Sequence, residues 1–529
     1  MPHTATETYR KDPAWAGLAD EATVAATRPM NTVTSPIDGA ALGEVPIGTP
    51  DDVHLAVTRA RQAAKAWSAR PIDSRVEIIE RFRAELSAHR DALLDIAHAE
   101  SGKAQISAFE EFLDLGLTCS YYAAKAPKIL KRHRRIGALP VLTSAYVHYV
   151  PKGVVGIIAP WNYPLTLAVS DSVPALLAGN AVVLKPDSLT PLTALLVLRL
   201  ARQAGLPHDV MQIVTGPGRE LGDPLIDSSD FIMFTGSTAT GRKVAARAGQ
   251  QLIGVSAELG GKNALLVLED APLARTVAGA VQASFANSGQ LCISIERIYV
   301  ARPLFEWFAN SFASAAEELV LGGSNGWEVD MGPLISADQL AKVTRHVEDA
   351  VAKGATVLTG GKPRPDLGPL FYEPTVLTGV TDAMELGREE TFGPVVALYP
   401  VDSDEEAIAL ANDTEYGLNA SVWTSNPARG RRVAEALRAG TVNINEGYAA
   451  TWGSIDAPMG GFGISGLGRR HGMEGLVKYT EPQTVARQRL LAIGPPEWVP
   501  RDKYVAAMSV ASTLLYPTVK GLVRRVFNK

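Results

Sequence analysis

The stretch GVVGIIAP at 153–160 is a run of apolar, mostly β-branched residues that ends at a proline. Short runs of this kind, bounded by Gly and Pro, are typical of buried strands. The pattern recurs downstream, where strands are predicted at 181–184, 211–214 and 231–234 and a helix at 190–204. Such alternation predicts an α/β protein with a doubly wound parallel sheet, whose ligands lie beyond the carboxyl ends of the strands.

The regions on either side of this core extend the same architecture. Upstream, residues 51–64 and 72–99 are rich in Ala, Leu, Arg and Glu, which predicts scaffold helices. Downstream, strand-like runs at 264–267, 298–300 and 395–399 predict a second α/β unit. Two such units face each other across a cleft, which is the usual place for a small-molecule site.

The composition excludes several classes of protein. The 529 residues include 51 basic and 56 acidic side chains, a net charge of −5, and 46% are hydrophobic. The chain therefore lacks the basic excess of a nucleic-acid-binding protein and is too apolar for disorder. Cys119 and Cys292 alone cannot form a disulfide framework, and the N-terminal residues do not match a secretory signal. We expect a cytoplasmic protein that binds a small molecule and no nucleic acid.

The C-terminal tail differs in composition from the rest of the chain. Residues 504–519 carry no charge and precede a basic end that includes Arg524 and Arg525. This uncharged stretch of sixteen residues is shorter than the about 20 that a helix needs to cross a bilayer. The favoured interpretation is a tail that packs on its own protein or on a neighbouring subunit. The alternative is peripheral contact with an anionic membrane surface.

The two cysteines lie in different local contexts. Cys292 ends NSGQLC at 287–292, a glycine-marked turn in which a thiol can be exposed enough to act as a nucleophile. The alternative for Cys292 is a buried structural thiol. Cys119 lies in an apolar helical pattern and is expected to be buried.

Two further polar residues are candidates for catalysis. Glu258 begins ELGGK at 258–262 and fits either a general base that activates water or an ion pair with Lys262. Asn162 lies in PWNYP at 160–164, where its amide can stabilise an oxyanion or cap the turn.

Two glycine patterns are weak on their own. GPGRELG at 216–222 places its third glycine one residue too late for the common dinucleotide fingerprint. GGSNG at 322–326 matches the nucleophile elbow of serine hydrolases, but the residues after it do not begin a helix. A serine hydrolase is therefore not favoured.

In combination, these motifs resemble the aldehyde dehydrogenase family, and within it the actinobacterial succinic semialdehyde dehydrogenases. Six segments between about residues 35 and 490 follow the family's order and spacing: PWNYP at 160–164, KP at 185–186, FTGS at 234–237, ELGGK at 258–262, NSGQLC at 287–292 and ETFGP at 390–394. The resemblance implies the aldehyde dehydrogenase fold, with two doubly wound α/β domains and a strand-rich oligomerisation projection. The expected divisions are a variable segment (1–34), a cofactor-binding domain (35–138 and 151–259), a catalytic domain (260–445), oligomerisation strands (139–150 and 480–492), a glycine-rich return (446–479) and a tail (493–529).

The resemblance also assigns roles. Cys292 is the expected nucleophile, Asn162 the oxyanion donor and Glu258 the base in NAD(P)-dependent oxidation of an aldehyde to an acid, with no metal required. A catalytically silent homologue is not favoured, because all three residues are present. The residues expected to bind NADP or NAD are Ile158, Trp161, Lys185, Ser188, Gly218, Phe234, Gly236, Ser237, Leu259, Glu390 and Phe392.

Position 188 bears on the choice of cofactor. Family members that prefer NAD often have a glutamate three residues after the lysine that corresponds to Lys185, and this glutamate repels a 2′-phosphate. Here the residue is Ser188, which leaves Lys185 free to pair with phosphate. NADP is therefore the expected preference, unless the neighbouring Asp187 points inward.

The substrate is less well determined. Two arginines that bind the distal carboxylate in better-known succinic semialdehyde enzymes correspond here to Ser170 and Ala286. Succinic semialdehyde and a medium or long aliphatic or aromatic aldehyde both remain candidates. Arg470 replaces a glutamate that is proposed to assist proton release in many relatives. The residues expected to line the substrate tunnel are Leu167, Ser170, Leu291, Ile293 and Trp452.

Assembly is inferred from the same resemblance. Strands near 139–150 and 482–490 would otherwise expose unpaired edges, so a homodimer or homotetramer is expected.

Overall fold

The computed structural model describes residues 13–138, 142–489 and 493–512. The run at 153–160 forms the central strand Val154–Ile158 of a six-stranded sheet. Gly466–Leu467 is antiparallel to its neighbour and the other strands are parallel. The spatial order is Gly466–Leu467, Gly254–Glu258, Phe231–Thr235, Val154–Ile158, Ala181–Lys185 and Met211–Ile213.

A seven-stranded sheet forms the second unit. Its first two strands are antiparallel and the others are parallel. The spatial order is Thr356–Thr359, Thr375–Thr378, Val395–Val401, Ile295–Ala301, Asn263–Val267, Asn419–Trp423 and Thr441–Ile444. Both large sheets therefore have the α/β architecture that the sequence predicts.

Helices surround these sheets, and one prediction about them is wrong. The single helix expected at 72–99 is two helices, because His89 leaves the helical conformation at φ −109° and ψ 24°. The break allows Phe82 and Leu93 to reach the same apolar core from separate helices. The helices are Pro50–Ala69, Ile72–Ala88, Arg90–Ser101, Gln105–Ile129, Pro164–Val169, Ser172–Leu177, Pro191–Gln203, Gly218–Ser228, Thr238–Gln250, Leu273–Phe285, Phe305–Glu317, Ala337–Ala352, Glu385–Arg388, Asp404–Asn412, Pro427–Ala436, Ala449–Trp452 and Gly472–Val477.

Two small antiparallel sheets complete the described fold. Met30–Thr34 pairs with Ala41–Pro46. In the other sheet, Thr143–Pro151 lies between Thr480–Gln488 and His133–Arg135. The predicted strands at 139–150 and 480–492 therefore pair with each other, although residues 139–141 and 490–492 lie outside the described residues.

The tail is described only to residue 512, so 513–519 of its uncharged stretch lie outside the described residues. Residues 501–512 are helical. Trp498 is 78% exposed and Val505 is 61% exposed, so the described part of the tail does not bury these side chains on its own protein. Among the helices within 13–138, 142–489 and 493–512, none is long and apolar enough to span a membrane.

Candidate active site

A cavity opens at the carboxyl ends of Phe231–Thr235 and Gly254–Glu258 in the first sheet, beside the loops that precede Ile295–Ala301 and Val395–Val401 in the second. It contains about 690 Å³ of space free of atoms, part of which is open to solvent. It brings together all three predicted catalytic residues, Cys292, Glu258 and Asn162, and one predicted substrate residue, Leu167. Six of the predicted cofactor residues also line it: Trp161, Gly236, Ser237, Leu259, Glu390 and Phe392.

The loop before Cys292 has an unusual backbone. Asn287 and Ser288 have φ of 50° and 57°, values that residues other than glycine rarely adopt. Gly289 follows with φ of 68°, and a Cβ at this position would lie 2.1 Å from the carbonyl oxygen of Gly393. Only glycine fits this contact. The tight turn brings the Cys292 side chain to the cavity.

A buried ion pair holds the loop that carries Asn162. The Nζ atom of Lys103 pairs with Glu111 and donates a hydrogen bond of 2.7 Å to the carbonyl oxygen of Asn162. Glu111 in turn accepts from the backbone N–H of Leu165 at 2.9 Å. The Asn162 amide donates to the carbonyl oxygen of Gln290 at 3.0 Å, which leaves its other N–H for a ligand. Sequence reasoning missed Lys103 and Glu111.

The surroundings of Cys292 disfavour ionisation of its thiol. Burial raises the pKa of this thiol to about 12, and the carboxylates of Glu390 and Glu258 raise it as well, while Arg470 lowers it. Burial also raises the pKa of Cys119 to about 12, but Cys119 is fully buried in the apolar core, as predicted. Access to the cavity, and not acidity, therefore distinguishes the two thiols.

Glu258 lies at the end of its strand and faces the cavity. Burial raises its pKa to about 7, although the cations Arg470 and Lys478 lower it. Its Oε1 atom has no hydrogen-bond partner among the described residues. The alternative ion pair with Lys262 is wrong, because Lys262 pairs with Glu296 at 2.5 Å. A carboxyl with a pKa near neutrality suits a general base.

Arg470 supplies a buried positive charge near Glu258. Its Nη2 atom lies 2.5 Å from Oδ2 of Asp171 and donates to Oγ1 of Thr235 at 3.1 Å. The Nζ atom of Lys478 lies 3.5 Å from Oδ1 of the same Asp171. As expected from its chemistry, Arg470 cannot accept a proton. It instead favours the ionised form of Glu258.

This arrangement predicts a shift in the pH profile of Arg470→Gln. A carboxyl can act as a base only when ionised, so with Glu258 as the expected base kcat should rise with pH through its pKa of about 7. Loss of the Arg470 cation raises that pKa, and the acidic limb should move to higher pH. Arg470→Lys keeps the charge and serves as the control. Identical acidic limbs in Arg470→Gln and the wild type would contradict this role for Arg470.

The wall of the cavity around Glu390 fits a dinucleotide. Glu390 accepts a hydrogen bond of 2.8 Å from the backbone N–H of Gly261, and burial raises the pKa of Glu390 to about 7. A Cβ at Gly260 would lie 2.4 Å from the Glu390 carboxylate, so a side chain there would displace it. Ser237 caps the helix Thr238–Gln250, whose N-terminus opens on the cavity. Helix N-termini bind phosphate groups.

Phe392 is held at the same wall. Its backbone has a φ of 57°, and its N–H donates to Glu296 at 3.0 Å. Its ring lies 5.5 Å from that of Trp161, nearly at a right angle. The ion pair between Lys262 and Glu296 therefore fixes the segment that carries Glu390 and Phe392. This structural role for Lys262 was not predicted.

The other predicted cofactor residues do not line the cavity itself. Lys185 is buried, and a Cβ at Gly218 would lie 3.4 Å from its Nζ atom. The Ser188 hydroxyl donates to the carbonyl oxygen of Gly216 at 2.9 Å. Asp187 accepts from the N–H of Leu189 at 3.0 Å, within its own turn. Ile158 and Phe234 are near the ends of adjacent strands.

Five residues of the cavity were not among the predicted site residues: Pro160, Thr235 and Gly260 lie within the quoted motifs, and Gln339 and Lys342 lie outside them. Gln339 and Lys342 lie on the helix Ala337–Ala352 and reach the cavity from the second unit. Gln339 donates to the carbonyl oxygen of Phe392 at 2.6 Å. Gln339 and Lys342 lie about fifty residues before the ETFGP segment and belong to none of the quoted motifs. The sequence therefore contains no local signal for them.

The predicted substrate residues separate into two groups. Leu291, Ile293 and Trp452 pack with Leu167 in the apolar cluster behind the cavity, although only Leu167 lines the cavity itself. Ser170 is not brought to the cavity, because its hydroxyl donates to Asp114 at 3.2 Å on the buried side of its helix.

The comparisons with known proteins agree with this geometry. The model of the aldehyde dehydrogenase family matches residues 24–485. A Mycobacterium ulcerans protein provisionally named succinate-semialdehyde dehydrogenase [NADP(+)] 2 is 53% identical over 89% of this chain and 91% of its own. The 4,4'-diapolycopene aldehyde oxidase of a Methylomonas species is 37% identical over 89% of this chain and 88% of its own.

Solved structures lead to the same family. The betaine aldehyde dehydrogenase of Staphylococcus aureus, in complex with NAD+, has a TM-score of 0.88 and 30% identity. The match covers 94% of this chain and 100% of that one. The chain therefore belongs to the aldehyde dehydrogenase family.

Proposed function

We propose that this enzyme oxidises succinic semialdehyde to succinate with NADP+ as the preferred electron acceptor. The observation that carries the proposal is the single cavity in which a cysteine, an amide donor and a carboxyl of raised pKa meet a wall that fits a dinucleotide. The choice of substrate and of NADP+ is supported by the name of the relative from M. ulcerans.

The proposed chemistry follows from the residues. The dinucleotide, when bound, supplies the hydride acceptor and a positive charge at its oxidised ring. The Cys292 thiol gives its proton to solvent water and the sulfur bonds to the aldehyde carbon, whose C=O π electrons move to the oxygen. The Asn162 amide and the Cys292 backbone N–H donate to the resulting oxyanion. Loss of hydride leaves a thioester on Cys292. Glu258 then takes a proton from water, and the oxygen of that water attacks the thioester carbon. The C–S bond breaks, the acid leaves, and the proton on Glu258 returns to the Cys292 sulfur to restore the thiol and the carboxylate.

A specific observation favours a second candidate substrate class. The residues that line the cavity include one cation, Lys342 on the wall with Gln339, and no arginine. Leu167 joins the cavity to the apolar cluster that contains Trp452. Arg470 is already paired with Asp171. Medium or long aliphatic and aromatic aldehydes would therefore be accepted without an unpaired carboxylate. The name of the Methylomonas relative, 4,4'-diapolycopene aldehyde oxidase, is consistent with this alternative.

A substrate series separates these candidates. We expect kcat/KM for succinic semialdehyde to exceed that for butanal, which has the same chain length and no carboxylate. Both kcat/KM values are obtained from the increase in absorbance of the reduced dinucleotide. A higher kcat/KM for butanal, rising further with chain length, would replace the first proposal with the second.

Cofactor preference can be tested at Ser188. Ser188→Glu places a carboxylate near Lys185, where it should pair with the lysine and repel a 2′-phosphate. We expect kcat/KM for NADP+ to fall by about 10-fold to 100-fold relative to that for NAD+. Ser188→Gln has a similar size and no charge, and is expected to change the ratio much less. If the ratio of kcat/KM for NADP+ to kcat/KM for NAD+ is the same in the wild type and in Ser188→Glu, the proposed role of this position is contradicted.

We also propose a cytoplasmic homodimer or homotetramer that assembles through the three-stranded sheet. The edge strand Thr480–Gln488 is largely exposed in the single chain, and Trp498 of the tail is 78% exposed. A neighbouring subunit that covers both would remove an exposed sheet edge and an apolar surface. Light scattering measures the mass, and sedimentation with anionic vesicles tests membrane contact of the tail.

A further inference from the structure

A histidine with an unused ring nitrogen lies on the far side of the segment that carries Glu390. His346, on the helix Ala337–Ala352, is fully buried, and its Nδ1 atom lies 3.2 Å from Oγ1 of Thr391. Its Nε2 atom has no hydrogen-bond partner among the described residues. A buried ring nitrogen without a partner is costly, so this atom requires an explanation.

Two carboxylates face this nitrogen. Oε2 of Glu385 lies 3.5 Å from Nε2 of His346, and Oε2 of Glu389 lies 3.9 Å from it. One ligand atom from each of the three residues lies within 4.8 Å of the others, and the described part of the chain contains no other such group of His, Cys, Asp and Glu. Both carboxylates are partly exposed, which gives an ion a path from solvent.

We propose that His346, Glu385 and Glu389 form a binding site for one divalent transition-metal ion of the zinc class. One imidazole nitrogen and two carboxylate oxygens are a ligand set that Zn²⁺ and Co²⁺ accept, and water completes the coordination. The Thr391 hydroxyl provides the outer hydrogen bond that orients a metal-binding imidazole.

The charges around the site are compatible with an ion. Burial lowers the pKa of His346 to about 4, and Lys342 and Lys262 lower it further, so the ring is neutral at pH 7 and has a lone pair for a metal. The guanidinium of Arg345 lies 2.9 Å from Oε2 of Glu385. A carboxylate has about four lone-pair positions, so this contact leaves room for coordination.

The position of the site defines its role. Glu389 and Thr391 flank Glu390, which lines the catalytic cavity, whereas His346 and Glu385 do not line it. An ion here would not touch the reacting atoms. It would tie the segment 389–391 to the helix Ala337–Ala352, which also carries Gln339 and Lys342 of the cavity wall.

Cobalt binding tests the proposal. The full-length protein is freed of metal by chelation and titrated with Co²⁺, while visible absorption and equilibrium dialysis are followed. We expect one equivalent to bind with a ligand-field spectrum and without a thiolate-to-cobalt band, which excludes Cys292 as the ligand. Glu385→Gln and His346→Gln should each weaken binding by at least about tenfold.

Controls distinguish this site from other metal binding. Glu348→Gln removes an exposed carboxylate from the same helix and should leave the affinity unchanged. Because His346 is buried, Glu385→Gln is the decisive variant if His346→Gln does not fold. No saturable binding to the wild type, or equal affinity in the wild type and Glu385→Gln, would overturn the proposal.

Discussion

Replacement of Cys292 by alanine is expected to lower steady-state turnover by about 10⁴-fold or more, as is typical when a catalytic nucleophile is removed. Alanine retains the volume of the Cβ atom and removes only the sulfur. Dinucleotide binding, measured by fluorescence quenching, should change little. Since the sulfur is the only atom proposed to bond to the aldehyde carbon, no other group in the cavity can replace it.

Cys119 provides the matched control for this prediction. Cys119→Ala removes the other thiol of the chain, which is fully buried in the core. We expect it to reduce stability by about 1 kcal/mol, near the average for point mutations, and to keep kcat within a few-fold of the wild type. Turnover that survives in Cys292→Ala, or is lost in Cys119→Ala, would refute the assignment of the nucleophile.

The second large effect is expected for Glu258→Gln. Glutamine has nearly the same shape as glutamate but cannot take a proton from water, so release of the acid should slow by about 10²-fold to 10⁴-fold. Hydride transfer precedes this step and should continue. Stopped-flow absorbance is therefore expected to show a burst of about one reduced dinucleotide per active site, followed by a slow steady state.

The other cavity carboxylate serves as the comparison. Glu390→Gln alters the wall that fits the dinucleotide, so it should slow the burst itself and not the release of acid. Equal steady-state rates for the wild type and Glu258→Gln would remove Glu258 as the base. A burst that disappears in Glu258→Gln would place its role before hydride transfer.

The sequence predicted most of the sheet architecture and the three residues of the proposed reaction. Each parallel strand is a short apolar run, so its position depends on local sequence, and the strand predicted at 181–184 is observed at Ala181–Lys185. The three residues are Cys292, Glu258 and Asn162. Each lies in a short motif in which glycines or prolines set the backbone conformation next to a side chain that can take part in catalysis. Their presence in one cavity follows from the fold that the motifs imply.

The buried charges could not be predicted in the same way. Lys103 pairs with Glu111, and Asp171 pairs with Arg470 across 299 positions of the chain. Such pairs depend on how loops and helices pack together in three dimensions, and local patterns do not contain that information. The hypothesis that Glu258 pairs with Lys262 failed for the same reason, since Glu296 on the neighbouring strand is a closer partner.

The covalent intermediate provides the most direct test of the proposed mechanism. Glu258→Gln would be mixed with aldehyde and NADP+, quenched in acid within one turnover, and digested for mass spectrometry. We predict that the peptide containing Cys292 gains the mass of the acyl group, in an amount equal to the reduced dinucleotide formed. Formation of reduced dinucleotide without an acyl group on Cys292, or with the acyl group on another residue, would contradict the mechanism.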